Sequence, residues 1–253
     1  MTGSQSLERG IAIIELLDAS RRPLGVREIA RSLNLSPTIV QRLINTLHAH
    51  TYVRRDDETK RYSIGYRVLS LGASLARTDN LIVMAQAELR QIASLHKLNG
   101  YLGILRGNRA LYLLSIQSEG PVAIRNEPGE VTFLHTTALG KVMLSGLTDE
   151  QAATLLGPKP LPKVTEATKT DPADIVADLA EIRRLGYASI FDENIMGVVS
   201  VGAPIRDAFG QVRAALSVAF ARQFEPDLKL DVVVDLVVTA AHRLSAKLGY
   251  IQP

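Results

Sequence analysis

Residues 36–50 read SPTIVQRLINTLHAH, a stretch with the spacing of an amphipathic helix and an unusual polar face. Ser36 is a preferred helix N-cap, and Pro37 suits the first helical position, where its missing amide hydrogen costs nothing. Apolar residues recur at helical spacing on one side. The opposite side carries Thr38, Gln41, Arg42, Asn45 and His48. Such side chains hydrogen-bond to base edges and phosphates, so the stretch by itself fits a DNA-reading helix and an ordinary polar surface helix equally well, and the segments around it decide between the two.

The segment before this helix completes a helix-turn-helix motif. Apolar periodicity predicts helices over 6–19 and 26–33, and small Ala30 permits a close helix crossing. Asn34 tolerates the left-handed backbone that a tight turn needs. The second helix of such a motif lies in the major groove, so the predicted partner is double-stranded DNA. The candidate contacts are Arg27, Ser36, Thr38, Gln41, Arg42 and Asn45, and Gln41, Arg42 and Asn45 are predicted to read bases.

Two short β-prone runs follow, at 52–55 and 61–65, around the charged turn DDETK at 56–60. They predict a hairpin of the kind that forms the wing of a winged helix. The alternative is a plain solvated hairpin without a role in binding. The predicted phosphate contacts on it are Arg54, Arg55, Lys60 and Arg61. Residues 66–78 are rich in apolar side chains and predict a linker helix that ends the DNA-binding part of the chain.

Charge and composition agree with this division. The first 78 residues carry 12 basic and 7 acidic side chains, a net charge of +5, whereas the remainder carries −2 within a total of +3. A basic N-terminal third predicts a nucleic-acid module joined to a second domain. The chain has no cysteine, which excludes disulfides, thiolate metal sites and a cysteine nucleophile. Neither a signal peptide nor an apolar run near membrane-spanning length occurs, so we expect a cytoplasmic protein without a membrane partner.

Apolar side chains at Leu7, Ile11 and Ile14, and along 68–75, exceed what so small a domain can cover. One short recognition helix reads few base pairs, so useful specificity requires two half-sites and a two-fold dimer. We therefore predict that these side chains form the contact of a homodimer.

The rest of the chain predicts a domain that mixes helices and strands. A helix is expected over 80–97, another opens at the segment HTTALGK (135–141), and a final one spans roughly 227–248. Thr148 with Gln151 forms a capping box for a further helix, and Asp171 with Pro172 begins the next, which Gly186 ends. The predicted strands are 101–106, 110–117, 122–126, 186–191, 197–207 and 211–220, and 127–133 is predicted to be a loop.

Together these segments resemble the IclR family of bacterial transcription regulators. The likeness is carried by LERGIAIIELL at 7–17, the helix-turn-helix, RYSIG at 61–65, FLHTTALGKVML at 133–144 and the run at 185–218. It implies an α+β protein with a winged helix-turn-helix at 1–65, a linker helix at 66–78 and a GAF-like α/β effector-binding domain at 79–253. It further implies a ligand-responsive regulator, most often a repressor, that binds palindromic operators as a dimer or tetramer.

Ligands of this family bind between the loop that enters the HTTALGK helix and the facing strands. Two positions depart from the family pattern. Ile190 stands where an acidic pocket residue can occur, and Ala219 replaces a second serine, so the site is less polar. Carried over by position, the resemblance implies effector contacts at Ala138, Leu139, Val198, Ser200, Ser217 and Ala219.

The beginning of the HTTALGK helix also predicts an anion site on physical grounds. Thr136 or Thr137 can cap the helix, and its first-turn amides and dipole favour a negative charge. Gly140 leaves room for a ligand to approach the backbone or, alternatively, lets the helix pack closely on the sheet. The apolar wall is predicted to consist of Ile124, Ile190 and Val198. The predicted effector is therefore a small carboxylate with an apolar body.

An enzyme is the main alternative for the C-terminal domain, and the motifs argue against it. The segment GVVSVG at 197–202 has one residue too many before the serine to be a GxSxG motif. The Gly140-Lys141 pair is followed by Val142, whereas a P-loop needs Ser or Thr at that position. The dinucleotide-binding motif GxGxxG does not occur. The five histidines lack metal-ligand spacing, and His135 is better explained as structural than as catalytic. We thus predict no catalytic residue, metal or cofactor. A ligand-free oligomerisation scaffold is the third option, favoured if no ligand-sized cavity exists.

Overall fold

The computed structural model of the chain describes residues 3–118, 120 and 122–251, and it divides into two compact units between Asp79 and Asn80. In these residues no helix is both long and apolar enough to cross a membrane. The first unit contains α1 (Gln5–Ser20), α2 (Val26–Ser32), α3 (Pro37–Ala49), β1 (Val53–Arg55), β2 (Tyr62–Ile64) and α4 (Tyr66–Thr78).

The predicted helix-turn-helix is confirmed and is set by local interactions. The Ser36 hydroxyl accepts a hydrogen bond from the Ile39 amide at 3.3 Å and caps α3. Asn34 has φ of 52°, the left-handed conformation that the turn between α2 and α3 requires. Val40 and Ile44 are fully buried in one core with residues of α1 and α2. This packing leaves the polar side of α3 facing solvent.

The predicted hairpin follows α3. Strands β1 and β2 pair antiparallel, with Val53 opposite Ile64 and Arg55 opposite Tyr62. Leu24 exchanges two main-chain hydrogen bonds with Tyr62, at 2.9 and 2.8 Å. The wing is thus attached to the segment before α2, which fixes its position beside the helix-turn-helix.

The second unit is a six-stranded antiparallel sheet between two helical layers, with strand order β5-β4-β3-β8-β7-β6. Its elements are α5 (Asn80–His96), β3 (Asn99–Arg106), β4 (Arg109–Ile116), β5 (Val131–Phe133), α6 (Ala138–Ser145), α7 (Asp149–Leu156), α8 (Pro172–Leu185), β6 (Ala188–Phe191), β7 (Val198–Arg206), β8 (Val212–Ala221), a short 3-10 helix (Arg222–Phe224) and α9 (Leu230–Lys247). The predicted α+β architecture is confirmed.

Each face of the sheet has its own core. Helices α5 and α9 cover one face, and α6 and α8 cover the other. Because side chains alternate along a strand, Val199 and Val201 of β7 pack towards α9 while Ser200 and Gly202 lie on the α6 side. In β8, Ser217 lies on the α6 side as well. The two serines therefore lie on the sheet face that α6 covers.

The predicted strand at 122–126 is wrong, whereas the predicted loop at 127–133 is correct for 127–130 and ends in strand β5 at 131–133. The segment 122–126 is irregular because the buried Asn99 side chain binds its main chain: Nδ2 donates to the Val122 carbonyl at 3.2 Å, and Oδ1 accepts from the Ile124 amide at 3.3 Å. The third strand of this region is β5, which pairs with β4 through Val131 opposite Leu111. The Asn99 side chain, 23 residues before Val122, thus takes main-chain hydrogen bonds that 122–126 would need for pairing with a neighbouring strand.

Candidate nucleic-acid interface and effector cavity

The exposed face of α3 carries the three predicted base-reading side chains. Gln41 Nε2 donates to Asn45 Oδ1 at 2.8 Å and lies 3.4 Å from the Tyr62 hydroxyl of the wing. These contacts join Gln41 to Asn45 and to Tyr62 of β2. The Arg42 guanidinium makes no hydrogen bond or salt bridge to any described residue, and all three side chains are solvent-exposed. Arg42 can therefore contact a DNA groove without first losing a hydrogen bond or salt bridge to another described residue.

Two of the predicted phosphate contacts on the wing are held in place by their neighbours. Arg54 donates through Nε to Ser63 Oγ at 2.8 Å and through Nη1 to the Tyr66 hydroxyl at 3.2 Å. The Arg55 guanidinium lies 5.9 Å from the centre of the Tyr62 ring, within cation–π range. Both guanidinium groups stay exposed, as do Arg27 and Lys60. Thr38 on α3 is also exposed, whereas the Ser36 hydroxyl serves as the helix cap.

Arg61, also predicted to contact phosphate, is paired within the domain. Its Nη1 donates to Glu28 Oε2 at 2.8 Å and to the Pro23 carbonyl at 3.1 Å. Glu28 also accepts from the Gly25 amide and pairs with Arg22, and these contacts hold the pKa of Glu28 below its ordinary value. Arg61 therefore connects the wing to α2 and the segment before it, while its side chain remains 43% exposed, so its phosphate contact stays a prediction.

A small, partly enclosed cavity lies in the second unit, between α6, the sheet and two loops. Its volume is about 30 Å³, against about 150 Å³ for a cavity that holds benzene. The lining residues are Tyr101, Tyr112, Ile124, Asn126, Thr137, Leu139, Ile190, Asn194, Ile195, Val198, Ser200, Ser217 and Ala219. The cavity thus has apolar walls with amide and hydroxyl groups set into them.

Eight of the ten predicted effector positions line this cavity, and two do not. Ala138 is fully buried beneath β7, where a Cβ on Gly202 would come within 3.1 Å of its carbonyl carbon. A Cβ on Gly140 would lie 2.4 Å from the Leu134 carbonyl oxygen. The expectation that Gly140 admits a ligand is therefore wrong, and its alternative role, close packing of the helix, is what the structure shows.

Five lining residues were absent from the prediction: Tyr101, Tyr112, Asn126, Asn194 and Ile195. Tyr101 lies directly opposite Ser217 in the β3–β8 pair, and Tyr112 lies opposite Gly103 in the β3–β4 pair. Because side chains alternate along β3 and β4, the two tyrosines lie on the same face of this hairpin. Only the pairing of β3 with β8 shows that Ser217 lies on that face as well. Asn126 and Asn194 lie on loops, where no periodicity marks them.

The tyrosines are neutral hydrogen-bond donors. Tyr101 donates through its hydroxyl to the Ile124 carbonyl, and its ring centre lies 5.6 Å from that of Tyr112. Burial raises the pKa of Tyr101 and raises the pKa of Tyr112 to about 12. The hydroxyls of Ser200 and Ser217 have no hydrogen-bond partner among the residues that the structure describes. None of the lining side chains given above is cationic, so a ligand would meet dipoles and hydroxyls instead of a counter-charge.

Thr137 caps α6, as the sequence predicts. Its Oγ1 accepts from the Gly140 amide at 3.0 Å, and the same side chain lines the cavity. The cap satisfies one amide of the first turn of α6. A ligand could therefore interact with the helix dipole and with the remaining first-turn amides. His135, just before the helix, is buried and donates through Nε2 to the Pro162 carbonyl at 2.9 Å, while burial lowers its pKa. These contacts give His135 a structural role.

The chain is similar to known proteins along its whole length. Residues 73–246 match the family described as the C-terminal domain of the bacterial transcriptional regulator IclR, and residues 6–57 match the IclR helix-turn-helix domain. The HTH-type transcriptional regulator BhcR of Paracoccus denitrificans is 30% identical over 243 residues, 96% of this chain and 87% of BhcR.

Two solved structures have the same architecture. An IclR transcriptional regulator from Alicyclobacillus acidocaldarius superposes with a TM-score of 0.84 at 26% identity, covering 98% of both chains. An IclR homologue from Microbacterium hydrocarbonoxydans, solved in complex with 4-hydroxybenzoate, superposes with a TM-score of 0.82 at 21% identity, covering 96% of this chain and 99% of that one.

Proposed function

The chain belongs to the IclR family of bacterial transcriptional regulators, and from this premise we propose that it is a repressor controlled by a small carboxylate. In this proposal a homodimer binds a palindromic operator through α3 and the wing, and effector binding in the second unit releases the DNA. The observation that carries it is the exposed face of α3, on which Gln41, Arg42 and Asn45 stand beside the wing. Its site of action is the cytoplasm, where bacterial DNA lies.

Base reading by α3 has a direct test. We expect Arg42→Ala and Asn45→Ala each to cost about 1–3 kcal/mol of operator binding and to relax specificity at one position of each half-site. Arg54→Ala is the matched control, because loss of a phosphate contact weakens all DNA sequences alike and lowers the salt slope by about one. Binding is measured on an operator selected by the wild-type protein from random duplexes. Unchanged sequence preference in both α3 variants would show that another surface reads the bases.

The proposed effector is a small acid with an apolar body. The capped beginning of α6, the hydroxyls of Ser200 and Ser217, and the apolar side chains of Ile124, Ile190 and Val198 support this chemistry. The Microbacterium homologue was solved with 4-hydroxybenzoate, an acid of this type.

Comparison of an acid with its own amide tests the charge requirement. From a panel that includes 4-hydroxybenzoate and 4-hydroxybenzamide, with short aliphatic acids and their amides, we expect only acids to raise the melting temperature and release operator DNA. The helix dipole contributes about 0.3–1 kcal/mol to this preference, and hydrogen bonds to the carboxylate add to it. Equal binding and equal DNA release by an acid and its amide would exclude an anion site at α6.

The size of the cavity favours a second candidate function, a ligand-free oligomerisation scaffold. A volume of about 30 Å³ is far less than a benzoate needs, so an effector must displace part of the wall. If no acid or amide in the panel changes thermal stability or DNA release, the scaffold is the better assignment. We propose no catalytic role, because the families and relatives that the chain matches are described as transcriptional regulators.

A further inference from the structure

A buried ion pair connects α6 to the loop at 192–197. Lys141 Nζ lies 2.8 Å from both carboxylate oxygens of Glu193, and the two side chains are only 4% and 11% exposed. Asp178 of α8 approaches Lys141 Nζ at 3.7 Å and is itself paired with Lys169 at 2.6 Å. Charges removed from water to this degree are expensive unless they are paired, so Lys141 and Glu193 depend on each other.

Neither member of the pair lines the cavity, but each lies within two residues of a side chain that does. On α6, Leu139 lines the cavity two residues before Lys141. On the loop, Asn194 and Ile195 line it directly after Glu193. The Thr136 hydroxyl also donates to Asn194 Oδ1 at 3.2 Å. The ion pair therefore joins two walls of the cavity from outside it.

Additional hydrogen bonds fix the base of this loop. The Thr168 hydroxyl donates to the Glu193 carbonyl at 2.7 Å, and the Thr165 hydroxyl donates to the Asp192 carbonyl at 2.6 Å. Asp192 also accepts from the Gly197 amide at 2.6 Å, which closes the loop on itself. By contrast, the Met196 side chain at the tip is exposed. The base is held on several sides, and the tip can move if the base is released.

The same cavity is too small for an organic acid, so one of its walls must shift when a ligand enters. The walls formed by strands are held by sheet pairing, which leaves the loops as the parts that move at lowest cost. Loop 192–197 is one of these walls, and the contact that joins it to the helix wall is a buried charge pair. Breaking this pair leaves Glu193 without a partner and leaves Lys141 with only the longer 3.7 Å contact to Asp178, so the pair favours the arrangement in which the loop lies against α6.

We propose that Lys141 and Glu193 are positioning residues of the effector site, whose ion pair holds loop 192–197 against α6 and so keeps the cavity small. The role in effector binding rests on the proposed function, whereas the role in holding the loop does not. The assignment predicts that loss of either charge loosens the loop locally, without loosening the sheet.

Amide hydrogen exchange of the full-length protein without any ligand tests this. We expect Glu193→Gln and Lys141→Met to speed exchange in 192–198 by about ten-fold or more while β3 and β8 exchange as in the wild type. Glu166→Gln is the matched control, because Glu166 forms an exposed pair with Lys163 at 2.6 Å. It should leave the loop unchanged. Wild-type exchange in the loop, or equal acceleration in every segment, would overturn the proposal.

The double variant Lys141→Met/Glu193→Met covers the case in which a single variant fails to fold. It leaves no unpaired buried charge in the pair, so it should fold better than either single variant. Its loop should still exchange faster than in the wild type, because apolar packing does not fix the distance between α6 and the loop. Wild-type protection of 192–198 in this variant would contradict the assignment. Failure of every compound in the acid and amide panel would instead overturn the proposed function alone.

Discussion

The double variant Leu69→Glu/Leu75→Glu is expected to sediment as a monomer and to lose affinity for a palindromic operator by about a hundred-fold or more. Both leucines lie on α4, where Leu69 is 70% and Leu75 is 58% exposed and no residue is buried. A helix that buries nothing in its own unit needs another surface to cover its apolar side. We propose that this surface is the second copy of the chain.

Helix α1 supports the same interface. Its buried side consists of Gly10, Ile13 and Leu17, whereas Leu7 and Ile11 remain exposed. Ile14 is half-buried. The loss of operator affinity follows because one recognition helix contacts a single half-site, and joining two half-site contacts in one molecule multiplies their binding.

Phe209→Glu is the control for this experiment. Phe209 is a strongly exposed apolar residue in the turn between β7 and β8, so its replacement changes surface apolarity outside the proposed interface. The control should remain dimeric and bind operator as the wild type does. A wild-type protein that sediments as a monomer at micromolar concentration and still binds its operator tightly would contradict the dimer.

Gly140→Ala is expected to destabilise the C-terminal domain by about 3 kcal/mol. The new Cβ would lie 2.4 Å from the Leu134 carbonyl oxygen and 2.6 Å from the Leu134 Cα. These are main-chain atoms of a buried segment, so they cannot move aside as a flexible side chain would. Because every residue of α6 is buried, the helix cannot shift outward without opening the core. Denaturant unfolding of the full-length protein measures the change.

Gly72→Ala provides the comparison. Gly72 lies on the exposed side of α4, and its Cβ would have no neighbour within 4 Å. Alanine should therefore stabilise that helix by about 0.4–1 kcal/mol, mainly by restricting the unfolded chain. An equal stability of Gly140→Ala and the wild type would show that α6 does not lie as close to the Leu134 segment as the structure places it.

Much of the effector cavity was predictable, and the parts that were not have a common cause. Thr137 precedes a helix and was identified by local pattern, whereas Ser200 and Ser217 were assigned to the site through the family resemblance. Gly140 illustrates the limit, because a glycine at a helix start fits both a ligand contact and a close packing contact. The space beside it is filled by Leu134, and this decides between the two.

The sequence by itself determined the elements whose causes lie within a few residues. The Ser36 cap with Pro37, the left-handed Asn34 and the Thr148 capping box act over one helical turn, so the helix-turn-helix and most helix boundaries follow from local chemistry.

Tertiary structure decided what depends on partners far along the chain. The pairing of β3 with β8 brings Tyr101 opposite Ser217, Asn99 prevents 122–126 from forming a strand, and Lys141 meets Glu193 across 52 residues. Nothing in the residues near either partner encodes such a contact, because a buried charge or amide is satisfied by whatever group the completed fold places beside it.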